Sequence, residues 1–220
     1  ANAVDETGSY TLTQFGSPSL VSGQVDTARL LNGSTMFFER LGDAAFGTAM
    51  NGDWTYEGWV YLAPSFSTVA NLYIYNGLRF SLDAADIILA EVGVLANRKI
   101  YWHQWHTTGS YTERSSNYTL QTGRFYHVAV SRTAQGGNLF TYRIYVNGVL
   151  DSAWTGIPGT SSPVSGASHY IGLGNYTGIS GLGSGGNILN GRLDDTRISR
   201  VARTDAEILA SCQLGGAACD

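Results

Sequence analysis

The chain has 220 residues, of which 43% are hydrophobic, and a formal net charge of −4, enough apolar material for a sizeable core. Its acidic balance and lack of any Lys/Arg cluster leave no footprint for phosphate backbones or anionic lipid, which excludes nucleic acid and membrane surfaces as partners. No apolar run approaches the roughly 20 residues that span a bilayer, and 28 Gly, 13 Tyr and 14% charged residues describe sheets joined by many turns.

No basic segment followed by an apolar one precedes the first strand, so the start at Ala1 fits either a trimmed initiator Met or a leader already removed. Strand patterns then run over Tyr10 to Phe15, Ala28 to Leu31, Thr35 to Phe38, Trp54 to Leu62, Asn71 to Tyr75, Arg79 to Leu82 and Ile87 to Val94. They continue over Lys99 to His106, Phe125 to Thr133, Tyr142 to Val146, Tyr170 to Gly172 and Leu193 to Ser199. Asn-Gly pairs at 32, 51, 76, 147 and 190 supply the positive φ of tight turns. The plainest hairpin turns at Asn147-Gly148, because Ile144 and Val146 alternate with Tyr145 and the chain returns at once. Ala134 to Asn138 reads as a hairpin loop, and Gly156 to Ser165 and Tyr176 to Gly186 as longer Gly/Ser-rich loops. Thr204-Asp-Ala-Glu207 is a capping-box pattern that opens a short helix over about 204–212. Cys212 and Cys219 can close a small tail loop in an oxidising compartment and stay thiols in a reducing one. With no repeat and no linker, residues 1–220 read as one domain.

Four ordered segments carry a family resemblance. They are Trp54-Thr-Tyr-Glu-Gly-Trp-Val-Tyr-Leu62, Arg124-Phe-Tyr-His-Val-Ala-Val-Ser-Arg132, the Tyr142 to Ala153 hairpin, and the run from Tyr170-Ile-Gly172 through Leu189 to Ile198 and Arg203 to Ile208. In order and spacing they resemble the LamG-like domains of the laminin-G/concanavalin A-like superfamily, as do Asp5-Glu-Thr-Gly-Ser and Ala28-Arg-Leu-Leu-Asn-Gly33 near the start. The resemblance implies an all-β, two-sheet antiparallel jelly-roll sandwich with one short C-terminal helix. It implies that Trp59, Val128, Val130, Ile144, Val146 and Ile198 fill the core between the sheets. It also implies a structural Ca²⁺ tying first and last strands, with Asp194, Asp5 and Gly33 near it. The other reading of Asp194 is an acceptor of backbone N–H groups at a sheet corner.

A retaining glycosidase needs an acid and a nucleophile flanking one bond, and on this fold a strand of pattern E-x-D-x-x-E supplies them. That strand is missing; Glu57 is the one acid on a clear central strand, so no catalytic residue is expected. His127 is expected to be a hydrogen-bonded structural residue. Lys99-Ile-Tyr-Trp-His-Gln-Trp-His-Thr107 alternates so that Tyr101, His103 and Trp105 share one face while Trp102, Gln104 and His106 share the other. Aromatic rings that stack on sugar C–H faces, beside groups that bond hydroxyls, make Tyr101, Trp102, His103 and Trp105 candidate ligand-binding residues, with Tyr176 a further one. The alternative is that one aromatic set fills the core and the other lies under a loop. Asn32, Asn117 and Asn175 begin N-glycosylation patterns.

Two functions follow. The first is a non-enzymatic recognition or adhesion module for a glycan or cell-surface polymer. The second is a structural virion protein, a phage capsid decoration or tail component, touching particle subunits. Both place the chain outside the cell or on a particle surface, and both are compatible with a homo-oligomer. A recognition module usually travels with something to target, and a chain that reads as one domain without an export signal gives weight to the second, which brings it nearly level with the first.

Overall fold

The computed structural model describes residues 11–41, 51–66, 73–74, 81–82, 87–88, 91–107, 110–159, 170–173, 176–177, 185–186, 189–216 and 219. In chain order the strands are β1 (Thr13–Phe15), β2 (Leu20–Ser22), β3 (Thr27–Asn32), β4 (Phe37–Leu41), β5 (Trp54–Leu62) and β6 (Tyr73–Ile74). There follow β7 (Ser81–Leu82), β8 (Ile87–Ile88), β9 (Glu91–Leu95), β10 (Ile100–Thr107), β11 (Ser110–Ser115) and β12 (Phe125–Gly136). The series ends with β13 (Leu139–Val146), β14 (Val149–Pro158), β15 (Tyr170–Leu173), β16 (Tyr176–Thr177), β17 (Gly185–Gly186), β18 (Asn190–Ser199) and helix α1 (Asp205–Gln213).

Period-two alternation sorts these strands into layers. On β5, Trp54, Tyr56, Val60 and Leu62 face one way and meet Val128 and Val130 of β12 and Ile144 and Val146 of β13. These strands belong to an antiparallel sheet of order β14-β13-β12-β5-β18-β3-β2. Against its apolar face lie Val92, Val94, Ile100 and Trp102 from the sheet β11-β10-β9-β6, and Leu12 and Phe38 from the β1-β4-β15 side. Two antiparallel layers sharing one core are the expected jelly-roll sandwich.

The other face of the seven-stranded sheet is covered too. Ile208 of α1 packs on Ala129 and Tyr145, and the helix starts where the sequence pattern puts it: Thr204 Oγ1 accepts from Glu207 N while Glu207 Oε2 accepts from Thr204 N at 2.8 Å. Cys212 and Cys219 are joined in a disulfide. The tail they close lies over Trp59, where a Cβ on Gly215 would run into the indole ring.

Several expectations need correction. Trp59 does not sit between the sheets: being out of phase with Tyr56 and Val60, it points to the opposite face, where the disulfide tail buries it. Asn190-Gly191 is strand rather than turn, paired with Leu62 and Leu31, and its glycine permits a close approach to the Tyr61 carbonyl. β12 runs on to Gly136, so its hairpin loop is shorter than the sequence suggested. The Asn147-Gly148 hairpin is as expected, with φ of +50° and +78° and Val146 opposite Val149. Strands β2 and β11 were not among those expected, β14 runs on to Pro158 into the loop expected from Gly156, and β16 and β17 pair at the two ends of the segment expected as a loop from Tyr176 to Gly186. Asn76-Gly77 and Asn175 lie outside the described residues.

Candidate functional site

β10 presents its two faces to very different surroundings. Trp102 is fully buried, stacked on Tyr142 with ring centroids 3.9 Å apart and edge-on to Trp154 at 5.7 Å. Tyr142 donates its hydroxyl to Gln104 Oε1 at 2.6 Å, and burial pushes that phenol up to about 12. Trp102 is therefore a core residue rather than a ligand platform, because its face of β10 closes the sandwich. His106, on the same strand, meets Thr112 Oγ1 at 2.8 Å, and burial lowers its pKa.

The opposite face points away from the seven-stranded sheet. Register places His103 across from Glu91 on one side and Glu113 on the other, while Tyr101 faces Gly93 and Ser115. His103 Nδ1 lies 3.4 Å from Glu113 Oε2, and the Tyr111 ring stacks on the imidazole at 4.5 Å and 19°. Depth is graded across this row: Glu91 is 2% exposed, His103 8% and Tyr111 54%. Tyr101 is buried as a floor, and β8 approaches β10. Trp105 occupies the register position opposite Tyr111. The structure thus brings Tyr101, His103 and the Trp105 position onto one face, and adds Tyr111, Glu113 and Glu91, which the sequence reading missed. The cue that could have found them was Gly109 followed by the aromatic and β-branched Ser110-Tyr-Thr-Glu-Arg-Ser115. Tyr176 lies apart, in a two-residue strand opposite Gly186.

A second Glu–His pair lies under α1. Glu57 is 1% exposed, and its Oε1 accepts from Arg197 Nε at 2.7 Å, Arg197 Nη2 at 2.6 Å and Arg203 Nη1. Both arginines also reach Ser211 Oγ on the helix, at 2.6 and 2.7 Å. His127 Nε2 stands 3.9 Å from Glu57 Oε2 and edge-on to Trp59. Burial first, then the charges of Arg197 and Arg203, bring the His127 pKa down to about 4. With its carboxylate taken up by two guanidiniums that also reach the helix, this cluster joins strand to helix.

Of the three residues expected near a calcium ion, two can be placed, Asp194 and Gly33, and they stand at opposite ends of the β3–β18 pairing. Asp194 Oδ2 accepts the backbone N–H groups of Gln24 at 2.7 Å and Val25 at 2.8 Å, as its reading as an acceptor at a sheet corner has it. Gly33 sits beyond Asn32 and Asn190, at the other end of the β3–β18 pairing from Asp194. Asp5 lies outside the described residues. Among the described residues no three His, Cys, Asp or Glu side chains gather to hold a metal ion, and no helix is long and apolar enough to cross a membrane.

Residues 40–209 match the family described as the concanavalin A-like lectin/glucanases superfamily. Among solved structures, the chain is similar to the botulinum neurotoxin serotype D/C binding domain at 12% identity, with a TM-score of 0.64 over 95% of this chain and 49% of that one. It is also similar to the serotype D binding domain (12%, TM-score 0.63, 94% and 48%) and to the type G receptor binding domain (14%, TM-score 0.57, 96% and 48%). The chain spans about half the length of these structures, and likeness at such identities concerns the fold. No curated protein matches it. The chain belongs to the concanavalin A-like lectin/glucanases superfamily.

Proposed function

We propose that this superfamily member is a non-catalytic recognition module that holds a glycan or cell-surface polymer on the outer face of the β9–β10–β11 sheet, outside the cell. The observation that carries the reading is the exposed Tyr111 ring stacked on a buried His103 that Glu113 holds from the side. A ring fixed from below is a ready platform for the C–H face of a sugar, and carboxylate and imidazole edges beside it suit hydroxyl groups. Trp105 holds the register position opposite Tyr111. Binding domains among the structural neighbours support this by analogy of fold alone.

The test is retention of the full chain on a panel of polysaccharides and glycans, compared with Tyr111→Ala. Because Tyr111 is exposed, its loss should change stability by less than about 0.5 kcal/mol while retention falls about tenfold or more. Retention unchanged by Tyr111→Ala would remove the site from the account. Hydrolysis of a retained polymer that disappears in Glu113→Gln would replace recognition by catalysis.

A structural role in a particle is the second reading, and the β14 edge favours it. Among the described residues β14 is terminal in its sheet, and it shows Val149 at 64% exposure beside the exposed Leu150, an edge another subunit can pair with. Concentration-dependent assembly that Val149→Lys abolishes, together with indifference to every glycan, would establish that reading instead.

A further inference from the structure

The outer face of the seven-stranded sheet carries a second row, one step beyond the region that the disulfide tail covers. Register aligns Phe125 of β12, Tyr61 of β5 and Arg192 of β18 side by side on that face. The Tyr61 and Phe125 rings lie 5.2 Å apart, tilted at 55°, and the Arg192 guanidinium sits over the Tyr61 ring at 4.4 Å. All three are half-buried, so their faces are held yet reachable. The tail bounds the row on one side, where Phe125 and Val25 pack against Trp59 and the Cys212–Cys219 bridge. On the other side Asn190 Nδ2 donates to Ser65 Oγ at 3.1 Å.

Arg192 differs from the two arginines that lie beneath α1. Arg197 and Arg203 share the single Glu57 carboxylate. Arg192 has no carboxylate within ion-pairing distance among the described residues; its one hydrogen bond runs from Nη1 to the Ser22 carbonyl at 3.3 Å. Asp194, the next residue of β18 on the same face, spends Oδ2 on the amides of Gln24 and Val25. Arg192 Nε is buried without a hydrogen-bond partner. The guanidinium is therefore partly stripped of water, fixed by stacking and, among the described residues, left without an ion-pair partner, which is the state that favours a bidentate anion.

We propose that Phe125, Tyr61 and Arg192 form a second binding site, distinct from the Tyr111 face, for a carboxylated sugar. The sugar ring lies on the Tyr61 and Phe125 rings, its carboxylate takes the outer edge of Arg192, and Asn190 and Ser65 meet its hydroxyls. A saccharide fits better than a peptide because β12, β5 and β18 are paired on both sides, leaving no free backbone edge for a strand to join. Polyanionic nucleic acid does not fit a single cation on a chain of net charge −4.

The experiment titrates the full chain with two matched pairs: sialyllactose against lactose, and oligogalacturonate against its methyl ester. At least one acidic member should bind about tenfold more tightly than its neutral counterpart, the difference expected of one charge-assisted pair. Arg192→Gln should erase that difference, Arg192→Lys should keep part of it, and Tyr61→Leu should weaken both members of the pair. Tyr111→Ala should leave the acidic preference intact, so loss of the outer-face site and loss of this one are separable. Absence of any acidic preference in the unsubstituted chain overturns the proposal, as does a preference that survives Arg192→Gln in protein of unchanged melting temperature.

Discussion

Glu57 and Glu113 each stand beside a histidine, at 3.9 Å from His127 and 3.4 Å from His103, yet the two pairs do opposite things. Around Glu57 the sheet, α1 and two arginines close completely, and the pair becomes a joint between elements. Around Glu113 one side stays open and an exposed ring, Tyr111, completes the group. The same residue types are scaffold where guanidiniums and a helix cover them, and a recognition surface where a ring is left facing outward. Cover, rather than residue identity, separates the two regions.

Breaking the covered pair should have the largest effect. Glu57→Gln leaves Arg197 and Arg203 facing each other without their counter-charge and should cost about 3 kcal/mol in urea unfolding. Acid should approach the same magnitude through His127. Its folded pKa of about 4 lies below its ordinary 6.5, so the unfolded chain binds more protons between those values and stability falls as pH drops through that window. The groups facing it are Glu57, Arg197, Arg203 and the Trp59 ring. The drop should reach about 3 kcal/mol, and His127→Gln should flatten the curve between pH 6.5 and 4. Opening the tail is next: with the bridged cysteines at a sequence separation of 7, Cys212→Ser should lower stability by about 2 kcal/mol and quicken quenching of Trp59 fluorescence. The smallest effect on stability belongs to Tyr111→Ala, where binding alone should change.

Most of the framework could be read from the chain because it rests on local rules. β5 is bounded as its alternation suggests, the Asn147-Gly148 turn has its two positive φ values, and Thr204 caps α1 through Glu207. What local rules could not give was which face of a strand would be covered. Trp59 and Trp102 both belong to alternating aromatic strands, and nothing local tells that one meets a disulfide tail and the other Tyr142. β11 escaped for a different reason: it is an edge strand whose residues are mostly exposed or half-buried, so it lacks an apolar stripe, and with it went Tyr111 and Glu113. Asp194 and Gly33 were joined by resemblance, and the pairing of β3 with β18 sets them at opposite ends.

The account rests on recognition lying at the open pair and support at the covered one, and a crossed comparison tests it directly. Glycan retention and thermal melting are measured on the same preparations of unsubstituted chain, Tyr111→Ala and Glu57→Gln. The account predicts that Tyr111→Ala loses retention at an unchanged melting temperature, while Glu57→Gln melts earlier yet retains the glycan at temperatures where it is folded. Loss of retention by folded Glu57→Gln with Tyr111→Ala binding normally would contradict it and move the site beneath the helix.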